Sequence, residues 1–183
     1  MLLRDLHINE HWTLFLDRDG VINVEKDKDY IRHKGEFQFT EGTLEAMPVF
    51  ARIFPRIFVV TNQKGIGKGL MTHDDISDIH AHMVEQVEAA GGRIDRIYYC
   101  PELADDHPYR KPNPGMGLQA AREHPETDLS RSLMVGNTMS DMNFGRNLGM
   151  KTVFIPSTKP MPVLPHPLVD FVADNLLALA KAL

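Results

Sequence analysis

Cysteine is almost missing from this chain. Cys100 stands alone, so no internal disulfide can close, which fits a reducing compartment. Long apolar runs are missing too. The most apolar stretch, residues 44–60, is broken by Glu45, Pro48, Arg52, Pro55 and Arg56, whereas a membrane-spanning helix needs about 20 consecutive apolar residues. Positive charge is in deficit: 20 Lys and Arg stand against 25 Asp and Glu, a net charge of −5. No basic stripe is present to neutralise a nucleic-acid backbone or an anionic bilayer, so neither is expected as a partner. Residues 1–12 carry Arg4, Asp5 and Glu10 among short apolar pairs, which is the pattern of neither a secretory signal nor a transit segment. A cytoplasmic protein is expected.

What is present is the balance of a globular chain. Apolar residues make up 43% and charged residues 25% of 183 positions, enough for one core and too few for two comfortable ones. A single domain over residues 1–183 is expected. Nothing in the sequence fixes the oligomeric state, and a monomer is the simpler expectation.

β-branched and aromatic runs alternate with helical patterns, the signature of a doubly wound α/β fold with one parallel sheet and helices on both faces. Strands are expected at Trp12–Leu16, Ile57–Thr61, Ile94–Tyr99, Leu133–Gly136, Thr152–Ile155 and Val169–Val172. The clearest helix starts at Thr72, whose hydroxyl can pair with Asp75 as a capping box. Ile76, Ile79, Met83 and Val87 then recur at helical spacing until Gly91-Gly92. Pro114 suits the first turn of a helix running to about His124. Pro48 inside the helical pattern 43–54 predicts a kink or a late start. Three connections are long: 20–42, 100–113 and the proline-rich 156–167, which reads as a stiff surface crossing or as a partner-binding segment.

Four polar clusters fall at strand or helix ends. The first strand ends in Asp17-Arg18-Asp19-Gly20. Two carboxylates two residues apart on a strand would face one crevice, and their repulsion calls for a hard cation such as Mg²⁺; an ordinary acidic turn explains the tetrapeptide equally well. Strand two enters Thr61-Asn62-Gln63-Lys64-Gly65-Ile66-Gly67, a loop with hydroxyl, amide and backbone donors for phosphate, or simply a glycine turn. It lacks the residues of a Walker A loop or a dinucleotide fingerprint. Arg110-Lys111 precedes the helix opened by Pro114 and offers a planar fork and a point charge for anions, or a solvated basic pair. Gly136-Asn137-Thr138-Met139-Ser140-Asp141 follows a later strand, with Asn137 and Asp141 about one helical turn apart.

In this order the four clusters resemble the motifs of the haloacid dehalogenase (HAD) superfamily of phosphatases, over residues 14–155. Phe15-Leu16-Asp17-Arg18-Asp19-Gly20-Val21-Ile22-Asn23, Val59-Val60-Thr61-Asn62-Gln63, Tyr98-Tyr99-Cys100-Pro101 and Arg110-Lys111-Pro112-Asn113-Pro114-Gly115-Met116 are similar to the branch of heptose-bisphosphate and histidinol-phosphate phosphatases. The resemblance implies a core without a large cap. It implies Asp17 as nucleophile, Asp19 as acid and base, and Thr61 and Lys111 as holders of the transferring phosphoryl group. Mg²⁺ would sit on Asp17, Asp19, Asn137 and Asp141. Asn62, Gln63, Lys64, Arg110 and Tyr30 would contact a small phosphorylated metabolite. Heptose 1,7-bisphosphate, in lipopolysaccharide-precursor metabolism, is the leading substrate and histidinol phosphate the alternative; a phosphate-binding pseudophosphatase is the reading from another class.

Two departures from the family pattern matter. Asn137 stands where Asp is usual, which removes one formal charge from the metal site and predicts weaker Mg²⁺ affinity. The zinc loop of the heptose enzymes is reduced to Cys100, with Glu102 where a histidine would be, so no zinc is expected. The loop is expected to keep its shape through Pro101, Pro108 and hydrogen bonds. His80 and His82, two apart on a helix, read as packing residues rather than ligands.

Overall fold

A computed structural model describes residues 3–183; the first two residues of the amino-terminal stretch lie outside the described residues. Six strands, β1 (Thr13–Leu16), β2 (Arg56–Asn62), β3 (Arg96–Cys100), β4 (Ser132–Gly136), β5 (Lys151–Phe154) and β6 (Phe171–Val172), form one parallel sheet in the order β3-β2-β1-β4-β5-β6. The helices are α1 (Thr43–Ile53), α2 (Lys64–Gly67), α3 (His73–Ala89), α4 (Gly115–Glu123), α5 (Met139–Asn147) and α6 (Leu176–Ala182). No helix of the described residues is long and apolar enough to cross a membrane.

The period of two in the strands sorts the core into two layers. Leu14, Leu16, Ile57, Val59, Leu133 and Val135 face a cluster with Met47 and Phe50 of α1, Ile79 and Met83 of α3, and Leu176 of α6. The intervening Phe15, Phe58, Val60 and Met134 face the opposite cluster with Met116 and Ala120 of α4 and Phe144 of α5. Central strands apolar on both faces must be covered on both sides, and three helices on one face and two on the other do so. The chain therefore adopts the expected doubly wound α/β fold.

Local signals set most boundaries. Thr72 accepts from the Asp75 N–H while the Asp75 carboxylate accepts from the Thr72 N–H, so the expected capping box opens α3. Gly91, at φ +83, follows its last turn. Pro114 caps α4 from just outside rather than opening its first turn. The late start expected of α1 does not occur: the helix begins at Thr43 and runs through Pro48. Ala46, Met47 and Phe50 are fully buried, and that packing outweighs the hydrogen bond that proline removes. The glycine-rich stretch after β2 holds one helical turn, α2, rather than only a loop.

Strand order reverses at β1, which lies between β2 and β4. The carboxyl ends of these three strands open on a common crevice, the place where open parallel sheets bind ligands.

Candidate active site

Asp17 directly follows β1, and its N–H still donates to the Val135 carbonyl of β4 at 2.9 Å. The chain then coils around one acceptor, since the N–H groups of Val21, Ile22 and Asn23 all donate to the Arg18 carbonyl at 3.2, 2.8 and 3.1 Å. Gly20 turns the loop at φ +82, and a Cβ there would run into the Asn137 amide. Backbone angle and crowding both demand glycine.

The two carboxylates of the loop have different partners. Arg18, fully buried, lays its fork on Asp19 at 2.8 and 2.9 Å. Asn23 and Gln63 amides donate to the same carboxylate at 3.0 and 2.9 Å. Burial pushes the Asp19 carboxyl up, but Arg18 and these amides outweigh it and hold it below the usual carboxylate range. The charge of Asp19 is thus offset inside the motif, by the residue between the two acids. His80 of α3 backs the arrangement, its Nε2 lying 3.2 Å from the Arg18 guanidinium. Burial, then the Arg18 charge, depresses its pKa to about 3, so it is neutral and serves packing, as its place on the helix implied.

Asp17 lacks such a private partner. Lys111 reaches in from the loop before α4, with its ammonium 2.9 Å from Asp17 Oδ1, 2.6 Å from Asp141 Oδ1 and 2.7 Å from the Val60 carbonyl. Burial would lower the lysine pKa, but Asp141 and Asp17 outweigh it and keep the ammonium charged. One cation is therefore shared between two buried carboxylates. Burial and the neighbouring Asp141 raise the Asp17 pKa to about 7, as expected of an acid short of positive charge. Asp141 is anchored twice, because its other oxygen accepts from the Thr138 N–H and hydroxyl at 3.0 and 2.7 Å in the capping box of α5.

Thr61 and Asn62 end β2. The Asn62 side chain clamps Lys111 by donating to its carbonyl at 3.1 Å and accepting from its N–H at 3.0 Å. Thr61, Asn62, Arg110, Lys111, Asp17, Asp19, Asn137, Asp141 and Tyr30 line a common cleft of about 270 Å³. Two expected substrate contacts lie outside this lining. Gln63 is buried behind it, bonded to Asp19 and to the Thr61 hydroxyl at 2.8 Å. Lys64 turns to Asp105 at 3.8 Å. The helical turn of α2 begins at Lys64 and carries these side chains away from the cleft.

Glu25, Lys26, Ile31, Thr138 and Ser140 also line the cleft without having been singled out in the sequence. Thr138 and Ser140, inside the Asn137–Asp141 cluster, and Ile31, next to Tyr30, carried a nearby signal; Glu25 and Lys26 carried none. The loop before Lys111 is held by Arg110 on Asp105 at 3.1 Å, by the Asn113 amide on the carbonyls of Asp105 and His107 at 2.9 and 3.0 Å, and by a 3.7 Å contact between Cys100 Sγ and His107 Nδ1.

Among the described residues no three His, Cys, Asp or Glu side chains form a ready-made metal cage. The donor set nonetheless fits a hard cation that keeps waters and takes phosphate oxygens. Asn137 is fully buried, and its Oδ1 has no hydrogen-bond partner, an arrangement that disfavours folding unless something meets that oxygen. Asp17, beside it in the cleft, is short of positive charge. Of the four expected ligands, Asp17 and Asn137 would hold the ion; the Asp19 carboxylate is engaged by Arg18, Asn23 and Gln63, and the Asp141 carboxylate by Lys111 and Thr138.

A family model described as HAD-hydrolase-like matches residues 108–179. D-glycero-α-D-manno-heptose-1,7-bisphosphate 7-phosphatase of Mycobacterium bovis is 39% identical over 138 residues, covering 75% of this chain and 73% of its own. The β-anomer enzyme of Pseudomonas aeruginosa is 36% identical over 173 residues, covering 93% and 96%. In structure, the D,D-heptose 1,7-bisphosphate phosphatase of B. bronchiseptica, complexed with magnesium and phosphate, superposes with a TM-score of 0.81 at 27% identity over 92% of this chain and 96% of that one. From these similarities, the chain belongs to the HAD superfamily and, within it, to the family of heptose-1,7-bisphosphate phosphatases.

Proposed function

We propose that this phosphatase hydrolyses the 7-phosphate of D-glycero-D-manno-heptose 1,7-bisphosphate with Mg²⁺, through an aspartyl-phosphate intermediate. The observation that carries the reaction is the Lys111 ammonium bridging Asp17 and Asp141 at 2.9 and 2.6 Å on the cleft floor. It marks where negative oxygens gather and leaves one carboxylate there under-neutralised. The substrate rests on the relatives, whose names give heptose 1,7-bisphosphate in both anomers. The nucleophile, the threonine and the lysine share one cleft, which favours turnover over mere phosphate binding.

Asp17 Oδ1 accepts from the Arg18 N–H at 2.7 Å and from Lys111, so Oδ2 is the oxygen offered to phosphorus. As the Asp17–phosphorus bond forms, the ester P–O bond breaks, and Asp19, having first taken up a proton from solvent, passes it to the departing alkoxide. In the second half-reaction Asp19 takes a proton from water, which attacks phosphorus and releases Asp17. Arg18, Asn23 and Gln63 hold Asp19 ionised as it stands, ready for that base step. Thr61 and Lys111 hold the equatorial oxygens in line. A bound Mg²⁺ would neutralise charge on the phosphoryl oxygens. Arg110, which lines the cleft and is braced by Asp105, would meet the phosphate that is not transferred.

Phosphate release from heptose bisphosphate, histidinol phosphate and nucleotides in the presence of Mg²⁺, run beside Asp17→Asn, tests this. The bisphosphate should be the preferred substrate and the variant should be silent. Equal release by the variant removes Asp17 from the nucleophile role, and preference for histidinol phosphate replaces the substrate.

A further inference from the structure

Asn137 poses a problem that an aspartate would not. A carboxylate offers oxygen whichever way it turns, whereas a carboxamide must present Oδ1 to a cation and keep its NH₂ away. The proline-rich connection, which reads from sequence as a surface crossing or a partner-binding segment, folds back over this side chain. Asn137 Nδ2 lies 3.1 Å from the Ser157 hydroxyl, 3.1 Å from the Thr158 hydroxyl and 3.4 Å from Glu25 Oε2. Thr158 also donates its hydroxyl hydrogen to Glu25 Oε2.

Hydrogen-bond polarity makes this chain of contacts directional. A hydroxyl has one hydrogen. The Thr158 hydrogen is spent on the Glu25 carboxylate, so toward Asn137 the hydroxyl can only accept. Glu25 itself can only accept. A flipped amide would set Oδ1 against two acceptors and turn the NH₂ toward the cation. Ser157, whose hydrogen is not committed in this way, would tolerate either orientation.

We propose that the Glu25–Thr158 pair is a positioning device that fixes the rotamer of Asn137 and so makes an amide serve as the metal ligand. The proposal rests on the Mg²⁺ site put forward above. It explains why the fully buried Asn137 Oδ1 is left without a protein partner, and it gives the connection after β5 a role in the site.

The test is calorimetric titration of Mg²⁺ alone into purified protein, without substrate. The wild type, Thr158→Val, Thr158→Ser, Asn137→Asp and the double variant Asn137→Asp/Thr158→Val are compared. Thr158 is exposed, and metal-free melting curves establish that each variant is folded. Loss of the hydroxyl in Thr158→Val should weaken Mg²⁺ binding about ten-fold, the usual effect of removing a group that orients a ligand. Thr158→Ser should restore it. In the Asn137→Asp background the valine should change affinity by less than about two-fold, because a carboxylate needs no orienting.

Wild-type affinity in Thr158→Val, or an equal loss in both backgrounds, overturns the positioning role while leaving the Mg²⁺ site standing. Absence of Mg²⁺ binding by the wild type overturns the site and the device together.

Discussion

The floor and the rim of the cleft are built differently. On the floor, Asp17, Thr61, Lys111, Asn137 and Asp141 are each 8% exposed or less; four of them sit at strand ends or in the first turn of a helix, and Lys111 enters from the loop before α4. Each is fixed by backbone geometry before any ligand arrives, as with the Asn62 clamp on Lys111 and the Thr138 cap on Asp141. The rim is made by connections, residues 25–31 and 102–110; Ile31 and Arg110 are buried, and most of the other side chains are half-buried or exposed, several of them held by surface pairs. Lys26 pairs with Glu36 at 2.6 Å, Asp29 with Arg32 at 2.7 Å, and the Lys68 ammonium sits 5.3 Å above the Tyr30 ring. Rigid groups suit a reaction that needs in-line placement; surface pairs exchange partners easily and suit selection among substrates.

The contrast predicts a descending series of effects. Asp17→Asn should lower kcat by about 10³-fold or more with little change in melting temperature, because the amide keeps the shape of the floor; steady-state kinetics beside thermal denaturation checks both halves. Lys111→Met should strike activity and stability together, since removing a shared buried cation leaves two carboxylates facing each other. A loss of about 3 kcal/mol in urea unfolding is expected, and an unchanged midpoint would show that the floor does not depend on that ion bridge.

At the rim, Arg110→Ala should lower kcat/KM for a bisphosphate by about ten-fold, the value of one charged hydrogen bond, and leave a monophosphate nearly unaffected. Equal losses on both would move Arg110 from selection to support of the loop.

The effect that is smallest at neutral pH concerns the buried support of the floor. The pKa of His80 lies near 3 in the fold and at 6.5 when unperturbed. Between those values the unfolded chain holds a proton that the fold excludes, so its contribution is complete above about pH 6.5 and is lost as pH falls toward 3. The limiting slope is about 1.4 kcal/mol per pH unit. His80→Gln should flatten the decline of stability over that window, and an unchanged pH profile would show that the imidazole accepts a proton in place.

Sequence patterning reached much of this molecule because much of it is local. Short apolar runs such as Leu14-Phe15-Leu16 and Ile57-Phe58-Val59-Val60, alternating along the chain with helical patterns, located the central strands. Thr72 and Asp75 located a helix start through a reciprocal bond three residues apart. The same logic put Asp17, Thr61, Lys111 and Asn137 at element ends, where parallel sheets gather ligands.

Other features escaped because local pattern does not carry direction. Arg18 has no role that the tetrapeptide's pattern reveals, yet it turns inward and neutralises Asp19. Gln63 and Lys64 looked like extensions of the phosphate loop, yet the helical turn of α2 rotates them off the cleft. Pro48 promised a kink or a delayed helix, and buried Phe50 and Met47 overruled the delay.

By itself the amino-acid order determined the parallel sheet, its two apolar faces and the set of polar groups at the strand ends, since these follow from periodicities of two and 3.6 and from caps a few residues apart. Only the tertiary structure decided which acid keeps an unshared charge, which amides stand behind the cleft, and that Glu25 and Thr158, separated by more than a hundred positions, meet over Asn137. Those outcomes depend on the direction of side chains brought together by folding, and a buried charge or amide is defined by its neighbours in space rather than in the chain.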